Sequence, residues 1–163
     1  MILKNKILTA DKFDESTDDV YLFPSSSRSP KGGCKFSMGK GLGLEVIERY
    51  PGIDNKFNMN LFNGHIPCYY HLTYVNPYVL KSTITIGAFQ NRIKSSDKPS
   101  YDMIGVSADV LNKDSREVPN RIFHLGNLGI GNICDRYGDC QIDDRLLTIL
   151  QALPDNVFYY TGN

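Results

Sequence analysis

The stretch Ser37-Met38-Gly39-Lys40-Gly41-Leu42-Gly43-Leu44-Glu45-Val46-Ile47-Glu48-Arg49-Tyr50-Pro51 runs a glycine-rich turn straight into an amphipathic segment. Leu42, Val46, Ile47 and Tyr50 fall on one side at helical spacing and Pro51 stops the run, which predicts a helix beginning near Gly39. Such a turn points unpaired N–H groups and the positive end of the helix macrodipole at one spot, a setting for phosphate or pyrophosphate. The two best-known glycine loops do not fit. The nucleotide-triphosphate loop needs four residues between its first glycine and Gly-Lys-Ser/Thr, whereas Gly33 and Gly39 are separated by five, and Gly41 stands at the magnesium-binding hydroxyl position. The dinucleotide fingerprint Gly-x-Gly-x-x-Gly is not written by the alternating Gly39, Gly41 and Gly43, and no strand runs directly into them. The bland alternative is that Gly41 and Gly43 let the helix pack closely.

Outward from this loop, elements alternate in type. Ile2 to Leu8 and Val20 to Phe23 read as strands, and Ser25 to Gly33 as a serine, proline and glycine loop. Tyr69 to Val75 and Val79 to Ala88 are rich in β-branched and aromatic residues and are parted by the turn pair Asn76-Pro77. After Lys98-Pro99-Ser100-Tyr101, the residues Met103, Val106, Val110 and Leu111 repeat at helical spacing. Arg121 to Leu125 reads as a strand, followed by a second glycine-rich loop at Gly126, Gly129 and Gly131. The last helix places Ile142, Leu146, Leu147, Ile149, Leu150 and Leu153 on one face, and Val157 to Tyr160 closes as a strand. Strands interrupted by helices predict α/β layers, and both glycine loops leave strands where an open sheet binds ligands.

At 163 residues, the whole chain is expected to form one domain. Lys plus Arg and Asp plus Glu balance at 18 each, so no bulk field recruits nucleic acid or an anionic bilayer. No apolar run has signal-peptide or membrane-spanning length, and the expectation is a cytoplasmic monomer. Cys34, Cys68, Cys134 and Cys140 form no Cys-x-x-Cys pair, so free thiols are expected. His65, Cys68 and His71 alternate in facing along an extended segment, so no metal site is expected from them. His71-Leu72-Thr73 is half of a two-histidine phosphoesterase signature, but His124-Leu125-Gly126 lacks the second hydroxyl.

Four separated places resemble the macro domain family, specifically the branch of terminal ADP-ribose protein glycohydrolases and yeast-type ADP-ribose phosphatases. Met38-Gly39-Lys40-Gly41-Leu42-Gly43 with Glu48-Arg49-Tyr50-Pro51 is similar to that branch's first loop and helix end. Thr9-Ala10-Asp11-Lys12-Phe13 is similar to the family's Gly-Asp-Leu/Ile, Lys98-Pro99-Ser100-Tyr101 to its Lys-Pro-Thr/Ser-Tyr, and Leu128-Gly129-Ile130-Gly131 to its Ile-Gly-x-Gly. The resemblance implies a three-layer α/β/α sandwich around a mixed sheet that binds ADP-ribose or an ADP-ribosylated protein without a cofactor or metal.

By the same resemblance Asp11 accepts from the adenine amino group. Met38, Gly39, Lys40, Gly41 and Leu42 form the first ligand loop, and Gly129, Ile130, Gly131, Asn132 and Ile133 the second. Asp135 is the candidate catalyst for hydrolysis of an ADP-ribosyl ester, with a carboxylate capping the last helix as its structural alternative. A non-catalytic binding module and a phosphatase acting on the terminal phosphate are the alternative functions. Four departures bear on these. Phe23 stands where the phosphatases carry a histidine, Ser27 to Phe36 reads as an insertion, Ile133-Cys134-Asp135-Arg136 comes two residues later than a gapless match to the glycohydrolase Leu-Asp-Arg, and Arg92 stands in the gapless position of the glycohydrolase lysine. Arginine cannot form a Schiff-base-type adduct.

Overall fold

The computed structural model describes residues 1–28, 41–61, 69–79, 82–94 and 96–162. A six-stranded sheet in the order β1-β8-β5-β2-β4-β3 forms the middle layer. Its strands are β1 (Ile2–Lys4), β2 (Val20–Arg28), β3 (Tyr69–Val75), β4 (Thr83–Lys94), β5 (Phe123–Leu125) and β8 (Val157–Tyr160). All neighbours are parallel except β3, which runs antiparallel to β4 at the edge. The mixed α/β/α sandwich expected from the sequence is the architecture observed.

Alternation along the central strands sends successive side chains into two cores. Tyr21, Phe23, Ile84, Ile86 and Tyr160 face helices α1 (Gly41–Arg49) and α2 (Ile53–Leu61), meeting Val46, Tyr50, Ile53 and Phe57. Val20, Leu22, Phe123, Leu125, Val157 and Tyr159 face α3 (Tyr101–Glu117) and α4 (Asp144–Leu150), meeting Ile104, Leu111, Leu146 and Leu150. Among the described residues no helix is long and apolar enough to cross a membrane.

Several boundaries depart from expectation. The strand read over Ile2 to Leu8 is confined to β1, because β8 supplies partners only up to Lys4↔Tyr160. In contrast, β2 continues through Pro24-Ser25-Ser26, where a loop was expected. The ladder to β5 ends at Leu22, so Pro24 lies where only β4 flanks the strand and its missing N–H is tolerated. Helix α2 carries a polar sequence and buries only Ile53 and Phe57, one turn apart, among the side chains described there. Ile142, expected on the last helix, belongs instead to a short hairpin of β6 (Asn132–Cys134) and β7 (Cys140–Ile142). Cys134 and Cys140 are disulfide-bonded across that hairpin rather than free, because antiparallel pairing sets them directly opposite one another.

The register of β2 on β4 slips once. Ser25 pairs with Gln90 and Ser26 with Arg92, leaving Asn91 as an extra residue in β4. A bulge of this type turns the following side chain away from strict alternation.

Candidate functional site

A cavity of about 710 Å³ opens at the carboxyl ends of the parallel strands. Pro24 of β2, Asn91 and Arg92 of β4, the Asn127-Leu128-Gly129 loop after β5, and Gly162 after β8 line it. The N-terminal half of α1 supplies Gly41, Leu42 and Glu45, and the segment before α3 supplies Asp97, Lys98 and Pro99. Loops leaving neighbouring parallel strands converge here for the topological reason that governs open α/β sheets.

The α1 side is fixed from two directions. Gly41 enters the helix at φ +59, the left-handed region that glycine adopts without a Cβ penalty. Glu45 Oε1 accepts the Ala10 N–H at 3.3 Å, and Arg49 donates to the Ala10 carbonyl, so the single 3-10 turn Ala10–Lys12 is tied to α1. Asp11 of that turn is exposed and shares a shallow groove with Glu45, Glu48 and Arg49. Glu45 therefore borders both the groove and the main cavity.

The second loop is held by its own side chains. Asn127 Oδ1 accepts the Gly129 N–H and Asn132 Nδ2, each at 2.8 Å, while Asn127 Nδ2 donates to the carbonyl of Thr161 at 3.0 Å. The buried Tyr159 hydroxyl accepts the Leu128 N–H at 3.3 Å and donates to Asn132 Oδ1 at 2.9 Å. Gly129 (φ +76) sits beside Pro99, whereas Gly131 (φ +75) packs on α4: a Cβ built there would lie 2.9 Å from that of Leu146. On the far side, Asn91 is buried and donates to the Leu128 carbonyl at 2.9 Å, joining β4 to this loop.

Arg92 follows Asn91 into the cavity because of the bulge. Its Nη1 donates to Asn91 Oδ1 at 3.4 Å, and its Nε is buried with no hydrogen-bond partner. Burial pushes the guanidinium pKa down, partly offset by the nearby Asp97.

Among the residues expected from sequence, Gly41, Leu42 and Gly129 line the cavity, and Asp11 lies in the adjoining groove. Met38, Gly39 and Lys40 fall outside the described residues. Ile130 packs against the α3–α4 core, Gly131 against α4, and Asn132 serves the loop network. Ile133 is 62% exposed on β6. Asp135 stands at the hairpin tip, absent from the cavity lining; its Oδ1 accepts the N–H groups of Tyr137 and Asp139 at 2.8 and 3.0 Å. It caps that turn, and the helix-capping carboxylate is Asp143, which accepts the Leu146 N–H at 2.8 Å.

Sequence reasoning missed Asn91, Asn127 and Glu45. Asn91 and Glu45 act by long-range bonds that no local pattern encodes, whereas Asn127 also bonds locally, through the Gly129 N–H two residues on, a short-range signal that an Asn-x-Gly turn offers. The histidine candidates have structural partners: His71 Nδ1 meets the Tyr69 hydroxyl at 2.7 Å, and His124 bridges Asp19 and Tyr160 at 2.7 and 2.8 Å. Among the described residues no three His, Cys, Asp or Glu side chains converge as metal ligands.

No protein-family description matches the chain, and no curated protein matches it by sequence. Solved structures do match it in fold. The macrodomain of Thermus aquaticus DarG superimposes with a TM-score of 0.65 at 15% identity, covering 98% of this chain and 97% of its own. The macrodomain of Mycobacterium tuberculosis DarG gives 0.61 at 18% identity, covering 97% and 99%. The fold is that of the macrodomains.

Proposed function

We propose that the cavity binds ADP-ribose or a close derivative, free or attached to a protein. The observation that carries this reading is the shared border at Glu45, which joins the Asp11 groove to the strand-end cavity and suits an elongated ligand with two dissimilar ends. Adenine lies toward Asp11, whose carboxylate accepts from the exocyclic amino group. The pyrophosphate lies over the start of α1, where orphan N–H groups and the macrodipole favour negative charge. The distal ribose lies between Gly129 and Asn91, where the close turn leaves room for a sugar.

Binding without turnover is the primary reading, since Asp135 is engaged in its own turn. Hydrolysis of an ADP-ribosyl ester is the second, favoured by one observation: Asp97 borders the cavity and places a carboxylate near its Arg92 end. Calorimetry with ADP-ribose, ADP and AMP tests the binding reading. ADP-ribose is expected to bind most tightly, and equal affinity for all three rejects it. Chromatographic release of ADP-ribose from an ester-linked peptide, with a chelator present, tests turnover.

A further inference from the structure

Among the described residues, the hairpin of β6 and β7 is a two-stranded sheet of its own, with no ladder to the six strands of the middle layer. Each strand has only three residues, and an isolated two-stranded ribbon is marginal in water. Ile133, Cys134, Gln141 and the whole tip from Asp135 to Asp139 are exposed, so little apolar burial holds the two arms together. The Cys134–Cys140 bond does so covalently. It spans a sequence separation of 6, and closing so short a loop restricts little of the unfolded chain, which makes its effect local rather than global.

Two hydrogen-bonded routes join these arms to the cavity. In β6, Asn132 donates to Asn127 Oδ1 at 2.8 Å and accepts from the Tyr159 hydroxyl at 2.9 Å, and the same Asn127 oxygen accepts the Gly129 N–H. In β7, the Cys140 N–H donates to Asn5 Oδ1 at 3.0 Å, and that oxygen also accepts from the Thr161 hydroxyl at 3.4 Å. Asn127 Nδ2 connects the two routes by donating to the carbonyls of Thr161 and Gly162 at 3.0 and 3.2 Å. Asn127, Gly129 and Gly162 line the cavity. The disulfide fastens the Asn132 arm to the Cys140 arm, whereas the tip that carries Asp135 lies beyond it.

We propose that the Cys134–Cys140 pair is a thiol–disulfide exchange site that sets the affinity of the cavity for its ligand. Closed, the bond keeps Asn132 and the Cys140 N–H in place and holds the Asn127 loop in its binding arrangement; opened, it frees the arms and weakens binding. The inference rests on the reading of the cavity as an ADP-ribose site and adds the regulation of that site. The reductant is a dithiol, small or protein-borne. Its thiolate attacks the exposed Cys134 sulfur, the Cys134–Cys140 bond breaks, and Cys140 leaves as a thiolate. The second thiol of the reductant then attacks the mixed disulfide and releases Cys134. Two electrons and two protons pass to the protein cysteines, and the reductant leaves as its disulfide.

The test is calorimetry with ADP-ribose on the oxidised protein, on the protein reduced by dithiothreitol, and on the double variant Cys134→Ser, Cys140→Ser. Reduction is expected to weaken binding about fivefold or more, the lower end of couplings between distinct sites. The double variant is expected to match the reduced protein and to ignore the reductant. Thermal unfolding is expected to show the reduced protein folded at the temperature of the titration. Reciprocity gives a second readout on the native chain alone. In a dithiol–disulfide buffer poised near half-reduction, saturating ADP-ribose is expected to raise the ratio of oxidised to reduced pair by the same factor. Alkylation of free thiols and mass mapping of Cys134 and Cys140 measure that ratio, so the native chain decides if the double variant does not fold.

Equal or tighter binding on reduction overturns the exchange-site proposal while the ADP-ribose reading stands. A response to the reductant that persists in the double variant assigns the effect to other groups and also overturns it. If the reduced protein unfolds, the bond is a structural staple and the proposal fails. If neither redox state binds ADP-ribose, both readings fail.

Discussion

The Tyr101 hydroxyl donates to the Asp143 carboxylate, joining the N-terminus of α3 to that of α4 across the base of the second glycine loop. The bond raises the tyrosine pKa and lowers that of the aspartate, and Arg145 lies 4.5 Å over the Tyr101 ring. Asp143 also caps α4, so it serves two elements at once. Tyr101→Phe is expected to lower stability, and Asp143→Ala to lower it further because the cap is lost as well. In urea unfolding the double variant is expected to fall short of the sum of the singles, since the pair shares one bond. Strict additivity rejects the coupling.

Gly129 and Gly131 have similar backbone angles but different neighbours, and their alanine variants are expected to separate. Gly131→Ala meets Leu146 and a left-handed backbone, so stability falls by roughly 1–2 kcal/mol from the backbone alone, with the contact in addition. Gly129→Ala carries the same backbone cost but faces Pro99 and the cavity, so its additional effect is on ADP-ribose affinity. Denaturant midpoints and calorimetry on both proteins decide the matter. A ligand effect confined to Gly131→Ala contradicts the placement.

Asp11→Ala is expected to weaken ADP-ribose binding by about tenfold or more, the effect of losing a charged acceptor. The analogue with hypoxanthine in place of adenine lacks the amino group, so the native protein should discriminate against it and the variant should not. Equal affinity of native protein and variant for ADP-ribose places Asp11 in solvent.

Asp135→Ala is expected to loosen the hairpin tip while ADP-ribose affinity is retained, because the carboxylate bonds Tyr137 and Asp139 within the turn. If the protein releases ADP-ribose from an ester, that rate is expected to survive the substitution. A selective loss of rate with unchanged binding would restore Asp135 as a catalyst.

His124 gives a pH dependence with a definite sign. Burial lowers its pKa below 6.5, outweighing the opposing influence of Asp19. Above 6.5 both folded and unfolded chains hold it neutral, and its contribution to stability is fully present. As pH falls below that value the unfolded chain binds the proton first, and stability drops by up to about 1.4 kcal/mol per pH unit until the folded pKa is passed. His71 is shifted in the same direction, also mainly by burial. Melting temperatures from pH 7.5 to 5 are therefore expected to fall less in His124→Asn than in the native protein. Parallel curves refute the assignment.

Local chemistry was enough where an element carries its own signal. The Val157–Tyr160 strand and the helix after Lys98-Pro99-Ser100-Tyr101 could be read from spacing and residue type. Helix α2 escaped because tertiary burial of Ile53 and Phe57 outweighs a polar sequence with little periodic signal. The serines after Pro24 read as loop because strand formation there depends on β4, which is distant in sequence. The Cys134–Cys140 bond was invisible for a similar reason: a spacing that looks irregular along the chain becomes a cross-strand pair once the hairpin forms. For the site, glycines marked both loops, but Glu45, Asn91 and the Asn127 bond to the Thr161 carbonyl act across long separations.

Asn91, the extra residue of the bulge, also gives β4 an adjustable length. Deleting one residue between Gln90 and Arg92 would let the ladder with β2 run without a slip, while the apolar positions from Thr83 to Phe89 kept their facing. Everything beyond the deletion would be re-addressed by one step, exchanging which side chain lines the cavity. The lining of the cavity can thus change through chain length alone, with the two cores beneath left as they are.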